Sequence, residues 1–286
     1  MAKGKLYRGQ AMKWSTMMLV LSMLFMLSFV LLVLLGLGIF SLPVANDDYS
    51  SPNDLTSYRR MAGERAGGGL EEKREQWTEI LSWEPRAFLY HNFLSKEECE
   101  YLITLAKPHM KKSTVVDHKT GGSKDSRVRT STGMFLTRGR DTVIKAIEKR
   151  IADFTFIPAE NGEGLQILHY EVGQKYEPHY DYFVDEFNTK HGGQRTATLL
   201  MYLSDIDEGG ETVFPVGKAF HNSVPSWNQS ECAKKGLSVK PKTGNALLFW
   251  STRPDATVDP SSLHGSCPVI KGNKWSATKW MHLREY

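Results

Sequence analysis

The chain has 286 residues and a formal net charge of only +4. It lacks any dense run of Lys and Arg, so a basic arm for nucleic acid is excluded. It holds three cysteines, and none falls in a Cys-x-x-Cys pair. A thioredoxin-like redox site is therefore absent. No internal repeat is visible, which leaves no basis for a solenoid or propeller. The longest gap is in charge: from Trp14 to Asn46 there is no Asp, Glu, Lys or Arg.

What fills that gap is Leu, Met, Val and Phe. Residues 17–40 are apolar and long enough to cross a hydrocarbon core of about 30 Å as a helix. A cleaved signal peptide is the alternative, but its apolar region spans only about 7 to 15 residues. The best small-residue cleavage candidate, before Asn46, is spoiled by Pro43. The run is therefore read as an uncleaved signal anchor. Lys3, Lys5, Arg8 and Lys13 precede it, and Asp47, Asp48 and Asp54 follow it. By the positive-inside rule residues 1–16 form a cytosolic tail and the rest is lumenal, a single-pass type II arrangement. Asn228-Gln229-Ser230 is an N-glycosylation acceptor compatible with that side. Cys232 and Cys267 lie in loop-like sequence and Cys99 in a predicted helix. In an oxidising compartment Cys232 is expected to pair with Cys267 while Cys99 stays buried and reduced. Three unpaired core thiols are the cytosolic alternative.

Residues 41–84 read as a polar stem, with Gly67-Gly68-Gly69 and partial helix near Leu70 to Ile80. Residues 85–286 suffice for one well-buried domain. Ser95-Lys96-Glu97-Glu98 is a capping box, and Cys99, Leu102, Leu105 and Ala106 follow at helical spacing. Val143, Ile144, Ile147 and Ile151 mark a second helix. From about Glu163 the signals are short β runs: Leu165–Tyr170, Ala197–Ser204, Thr212–Phe214, Leu237–Val239, Ala246–Trp250 and Lys274–Leu283. Helices followed by many strands predict an α+β fold with a jelly-roll or sandwich core.

The chemistry concentrates in His179-Tyr180-Asp181, followed by His264 and Lys274. Two imidazoles and a carboxylate with open positions suit non-haem Fe(II). One such triplet is weak alone: chance supplies about 0.4 His-x-Asp triplets from 9 His and 13 Asp. His169-Tyr170-Glu171 is a decoy of the same form. The surrounding sequence changes the odds. Gln174 to Phe183 (QKYEPHYDYF) resembles the iron-binding strand of the prolyl 4-hydroxylases. Gln194-Arg195-Thr196-Ala197-Thr198, Gly209-Gly210-Glu211-Thr212-Val213-Phe214-Pro215, Gly244 to Phe249 and His264-Gly265-Ser266-Cys267-Pro268-Val269 resemble the same family in order. The likeness covers roughly residues 85 to 286 and is greatest to the plant-type, single-chain members.

That resemblance implies a double-stranded β-helix and dependence on Fe(II), 2-oxoglutarate, O₂ and L-ascorbate. It implies hydroxylation of peptidyl proline at C4, in the endoplasmic reticulum or Golgi, coupled to conversion of 2-oxoglutarate to succinate and CO₂. His179, Asp181 and His264 are then the iron ligands. Lys274 meets the far carboxylate of 2-oxoglutarate, helped by Tyr170 and Thr212. Strand period two puts Lys274, Ser276, Thr278, Trp280 and His282 on one face. Tyr176, Arg195, Trp280 and His282 are the candidate contacts for a proline-rich chain in polyproline II form. The loops 116–132 and 185–194 are candidate lids. Rival readings are a hydroxylase of lysine or another residue, a catalytically silent anchored binding module, and a zinc hydrolase. The oligomeric state stays open.

Overall fold

The computed structural model describes residues 17–30, 75–116, 120, 122–125, 127–220 and 229–286. The chain divides into two units, Met1–Met61 and Ala62–Tyr286. In the first, residues 17–30 are helical with exposed side chains, and the rest of the run 17–40 lies outside the described residues. Among the described residues no helix is long and apolar enough to cross a membrane. Asn228 also lies outside them.

In the second unit the capping box forms as its residues dictate. The Ser95 hydroxyl accepts the Glu98 N–H, and the Glu98 carboxylate accepts the Ser95 N–H. It starts α1 (Lys96–Ala106), which buries Cys99, Leu102 and Ala106. Asp141 caps α2 (Thr142–Thr155), which buries Ile144, Ile147 and Ile151. Both helices cover one face of an eight-stranded antiparallel sheet. Its order is β1 (Trp77–Trp83), β2 (Arg86–His91), β13 (Ala246–Trp250), β9 (Arg195–Tyr202), β16 (Lys274–His282), β7 (Leu165–Tyr170), β6 (Thr132–Leu136) and β3 (Lys111–Lys112). A four-stranded sheet runs β12 (Leu237–Val239), β11 (Thr212–Phe214), β14 (His264–Ser266), β8 (Tyr176–His179). Two short ladders join β10 (Glu208–Gly209) to β15 (Val269–Lys271) and β4 (Val115–Val116) to β5 (Ser123–Lys124).

The two faces of the large sheet have different partners. Trp275, Ala277 and Met281 of β16 pack with Leu102, Ile144 and Ile147 of the helices. Lys279 on that face is ion-paired to Glu148 of α2 at 2.7 Å. On the opposite face Leu89, Tyr202, Leu247 and Phe249 pack with Phe214 and Val239 of the small sheet. Burying each large apolar side chain contributes roughly 1.5–3 kcal/mol. The result is a sheet-rich α+β core in which the small sheet packs on one face of the large one and the helices on the other.

One reading is corrected. Residues 77–80, taken as the end of a loosely ordered, partly helical stem, belong to β1, paired antiparallel with β2. The exposed Trp77, Ile80 and Trp83 hid the strand, because an edge strand with a wet face shows little alternation.

Candidate active site

β8 and β14 are neighbours in the small sheet, and their register sets His179 opposite His264. Asp181 follows β8 by two residues and its carboxylate turns toward both rings. Its oxygens lie 3.7 Å from His179 Nε2 and 3.6 Å from His264 Nε2. One ligand atom from each of the three residues falls within 4.8 Å of the others. Each ring is oriented by a carbonyl two residues earlier. His179 Nδ1 donates to Glu177 O at 2.9 Å, and His264 Nδ1 donates to Ser262 O at 2.9 Å. A carbonyl can only accept, so Nδ1 carries the hydrogen and Nε2 presents its lone pair. Asp181 Oδ2 accepts the Thr198 hydroxyl at 2.7 Å, which fixes the carboxylate. Burial and the neighbouring His264 push His179 down to about 3, so its imidazole is neutral. Burial works against the Asp181 carboxylate, but His264, His179, Arg195 and Thr198 hold it down to about 2. Two imidazoles and one carboxylate, aimed at a common point, fit divalent iron.

Lys274 begins β16 and is 1% exposed. Its ammonium donates to Gly210 O at 2.8 Å and to Ser266 Oγ at 2.9 Å. It lies 5.2 Å from the Tyr170 ring centre and 5.9 Å from that of Tyr202. No carboxylate pairs with it among the described residues. An ammonium has three donors, so one remains for an incoming anion. Burial lowers Lys274 to about 7, with Glu211 acting the other way. Burial raises the Tyr170 pKa, and the nearby Arg129, Ser131 and Ser266 work the other way. The Thr212 hydroxyl accepts from Tyr202 at 2.9 Å. Lys274, Tyr170 and Thr212 thus gather at one wall, with Tyr202 as an unforeseen member. Gly210 has φ +67, and a Cβ there would sit 2.6 Å from Ile206 Cδ1, so only Gly carries the carbonyl to Lys274.

The model of the 2OG-Fe(II) oxygenase superfamily matches residues 165–282. Probable prolyl 4-hydroxylase 3 of Arabidopsis thaliana is 73% identical over 287 residues, covering 100% of this chain and 99% of its own. Prolyl 4-hydroxylase 5 of Arabidopsis thaliana is 68% identical over 247 residues, covering 86% of this chain and 84% of its own. This chain belongs to the plant prolyl 4-hydroxylases. A solved viral collagen prolyl hydroxylase from Paramecium Bursaria Chlorella virus-1, in a 2OG complex, is 28% identical, with TM-score 0.49 over 68% of this chain and 94% of its own.

In this prolyl 4-hydroxylase the expected substrate residues split into two groups. Tyr176 stacks on His179, with ring centres 3.6 Å apart, and the Arg129 guanidinium lies 4.7 Å from the Tyr176 ring centre. Arg195 lies 4.0 Å from the Trp280 ring centre and 4.5 Å from that of Phe183. Its Nε and Nη2 donate to Glu163 at 2.6 and 3.1 Å, leaving Nη1 unpaired among the described residues. Burial works against the Glu163 carboxylate, but Arg195 and His282 more than offset it and lower its pKa. His282 does not match its expected role. Its ring is buried, with Nε2 at 2.8 Å from Glu163 and Nδ1 at 2.9 Å from Gly193 O. Both nitrogens are taken, so His282 braces the site instead of offering a free contact. Gly192 explains itself here: φ is +69 and a Cβ would lie 3.0 Å from the His282 ring.

Thr198, Glu163, Ser266 and the Arg129–Gln166 pair, joined at 2.8 Å, were not anticipated. Thr198 had a readable signal. In β9, Ala197, Leu199 and Met201 join the helix-side core, so Thr196, Thr198, Leu200 and Tyr202 share the other face, which turns toward the small sheet. Cys232 and Cys267 are joined, with a sequence separation of 35, and Cys99 is free and buried.

Proposed function

We propose that this chain hydroxylates peptidyl proline at C4 in proline-rich secretory and cell-wall proteins, converting 2-oxoglutarate to succinate and CO₂. The observation that carries it is the pairing of the His179–Asp181–His264 set with Lys274, a buried cation with no carboxylate partner among the described residues. Iron(II) at those three residues, with 2-oxoglutarate and O₂, supplies the oxidative chemistry. L-ascorbate keeps such an iron reduced. The residues do the rest. Thr198 holds Asp181 in line, and the Glu177 and Ser262 carbonyls hold the imidazoles. Lys274, flanked by Tyr170 and Thr212, receives the far carboxylate as a charge-assisted pair. Burial around Lys274 excludes water and strengthens that pair.

Tyr176 and Trp280 form apolar walls for a polyproline II chain, and Arg195 Nη1 reaches its backbone carbonyls. Glu163 and His282 keep Arg195 in place. The two antiparallel sheets facing each other support a jelly-roll core. Localisation is read from the sequence: residues 17–40 as a single-pass type II anchor and residues 41–286 in the lumen of the endoplasmic reticulum or Golgi. The Cys232–Cys267 bridge supports that reading, because disulfides persist in oxidising compartments. Asn228 would be glycosylated there.

Succinate release and hydroxyproline formation, measured with and without poly-proline peptides of increasing length, test the proposal. Both rise with peptide length. Turnover of a lysine-containing collagen-like peptide instead, or no dependence on proline length, overturns the substrate assignment.

A further inference from the structure

Glu211 is a buried carboxylate that the reading above uses only as a charge acting on Lys274. It is 4% exposed, and among the described residues no cation is ion-paired with it. Both carboxylate oxygens go to one residue. Oε1 accepts the Ser230 N–H at 3.2 Å and Oε2 accepts the Ser230 hydroxyl at 2.9 Å. A buried carboxylate without a paired cation is costly, and a neutral side chain would pack there more cheaply. Its surroundings give it a task.

Three chain segments meet at Glu211. The Cys267 N–H donates to the Glu211 carbonyl at 2.8 Å. Cys267 is bonded to Cys232, two residues beyond Ser230. The Ser230 hydroxyl, held by Glu211, also accepts the Ala233 N–H at 3.2 Å. Glu211, Ser230, Cys232 and Cys267 therefore form a closed ring of covalent and hydrogen bonds. The residues just before two of its members are Gly210 and Ser266. Those are the two that accept from the Lys274 ammonium, at 2.8 and 2.9 Å.

We propose that Glu211 is a positioning residue for the 2-oxoglutarate pocket: by holding Ser230 it closes this ring and fixes the two oxygens that aim the Lys274 ammonium. The proposal rests on the reading of Lys274 as counter-charge to the far carboxylate. The physical reason is the lysine itself. A point charge on a flexible four-carbon stem carries no orientation of its own. With two donors fixed, the third points one way. If the Gly210 carbonyl and Ser266 hydroxyl drift, the ammonium is still present but no longer aimed.

The test titrates 2-oxoglutarate calorimetrically into the Mn(II)-loaded full chain, alongside steady-state kinetics. Glu211→Ala is expected to weaken 2-oxoglutarate binding about tenfold. Ser230→Ala, which keeps the backbone N–H, weakens it roughly threefold. Mn(II) affinity, kcat and peptide KM stay at wild-type values, which a general loss of fold would not leave intact. Glu211→Gln keeps the volume and one acceptor oxygen, and falls between wild type and Glu211→Ala. In a Lys274→Ala background Glu211→Ala adds nothing, because the two act through one contact. If Lys274→Ala weakens 2-oxoglutarate binding but Glu211→Ala and Ser230→Ala do not, the positioning role is wrong while the Lys274 reading stands. Additive losses in the double variant overturn it equally. If Lys274→Ala itself leaves 2-oxoglutarate affinity unchanged, the underlying reading fails. Should Glu211→Ala not fold, Ser230→Ala decides: an unchanged affinity overturns the proposal.

Discussion

His179 and His264 are register partners on adjacent antiparallel strands, with ring centres 4.4 Å apart. The sheet, and not a loop, sets the spacing of the two imidazoles. Sites built on strands hold their geometry more tightly than sites on loops.

Replacing His179, Asp181 or His264 by Ala is expected to leave less than about a tenth of wild-type turnover at saturating iron, with the fold kept. Thr198→Val tests the support beneath them. It removes the 2.7 Å bond to Asp181 while keeping the side-chain volume. Metal affinity is expected to fall about tenfold or more, read by Mn(II) titration. Wild-type affinity in Thr198→Val would remove Thr198 from the site.

Lys274 carries a pH signature. Its folded pKa is lowered from 10.5 to about 7. Between those values the folded chain without co-substrate holds fewer protons than the unfolded chain. The contribution of this group to stability therefore rises with pH across the window. Co-substrate affinity moves the opposite way, because the carboxylate needs the protonated form. The 2-oxoglutarate dissociation constant should climb as pH rises above about 7. Lys274→Arg flattens the dependence, since a guanidinium stays charged, but binds less well because its fork is longer and planar. A flat profile in the wild type would refute the assignment.

Glu163 is the shared counter-charge of Arg195 and His282. Glu163→Ala leaves the half-buried Arg195 guanidinium and the buried His282 ring without their shared acceptor and is expected to cost roughly 3–5 kcal/mol of stability in denaturant unfolding. Trp280→Ala should instead raise peptide KM without changing 2-oxoglutarate affinity, because the indole lies beside Arg195 at the expected peptide wall. Reversed phenotypes would exchange the two roles.

The Cys232–Cys267 bridge closes a separation of 35 residues, worth roughly 3 to 4 kcal/mol in the chain-entropy model. Cys232→Ser with Cys267→Ser should lower the denaturant midpoint accordingly, and non-reducing peptide mapping should find Cys99 free. A bridge containing Cys99 contradicts the structure.

The sequence was legible wherever one residue type answers to one physical demand. Ser95 and Glu98 mark the start of α1, and the period-two alternation of β16 puts Lys274, Trp280 and His282 on one face. The His-x-Asp spacing, with the motifs around it, located the metal ligands. The partners behind them were harder to see. Glu163 reaches Arg195 and His282 across 32 and 119 positions of chain, and no local pattern encodes such meetings. His282 was misjudged for the same reason: period two tells which face a side chain takes, but not what already occupies it. β1 escaped notice because its apolar residues face outward.

β16 lies between β9 and β7, so it pairs with strands made well before it. On a ribosome, β7 and β9 emerge with a slot between them and two unpaired edges. Those edges are open to other chains until residues 274–282 arrive. The same late strand delivers Lys274. The co-substrate's counter-charge is thus carried by the strand that closes the sheet, so a chain in which β16 has not docked lacks both a continuous sheet and Lys274.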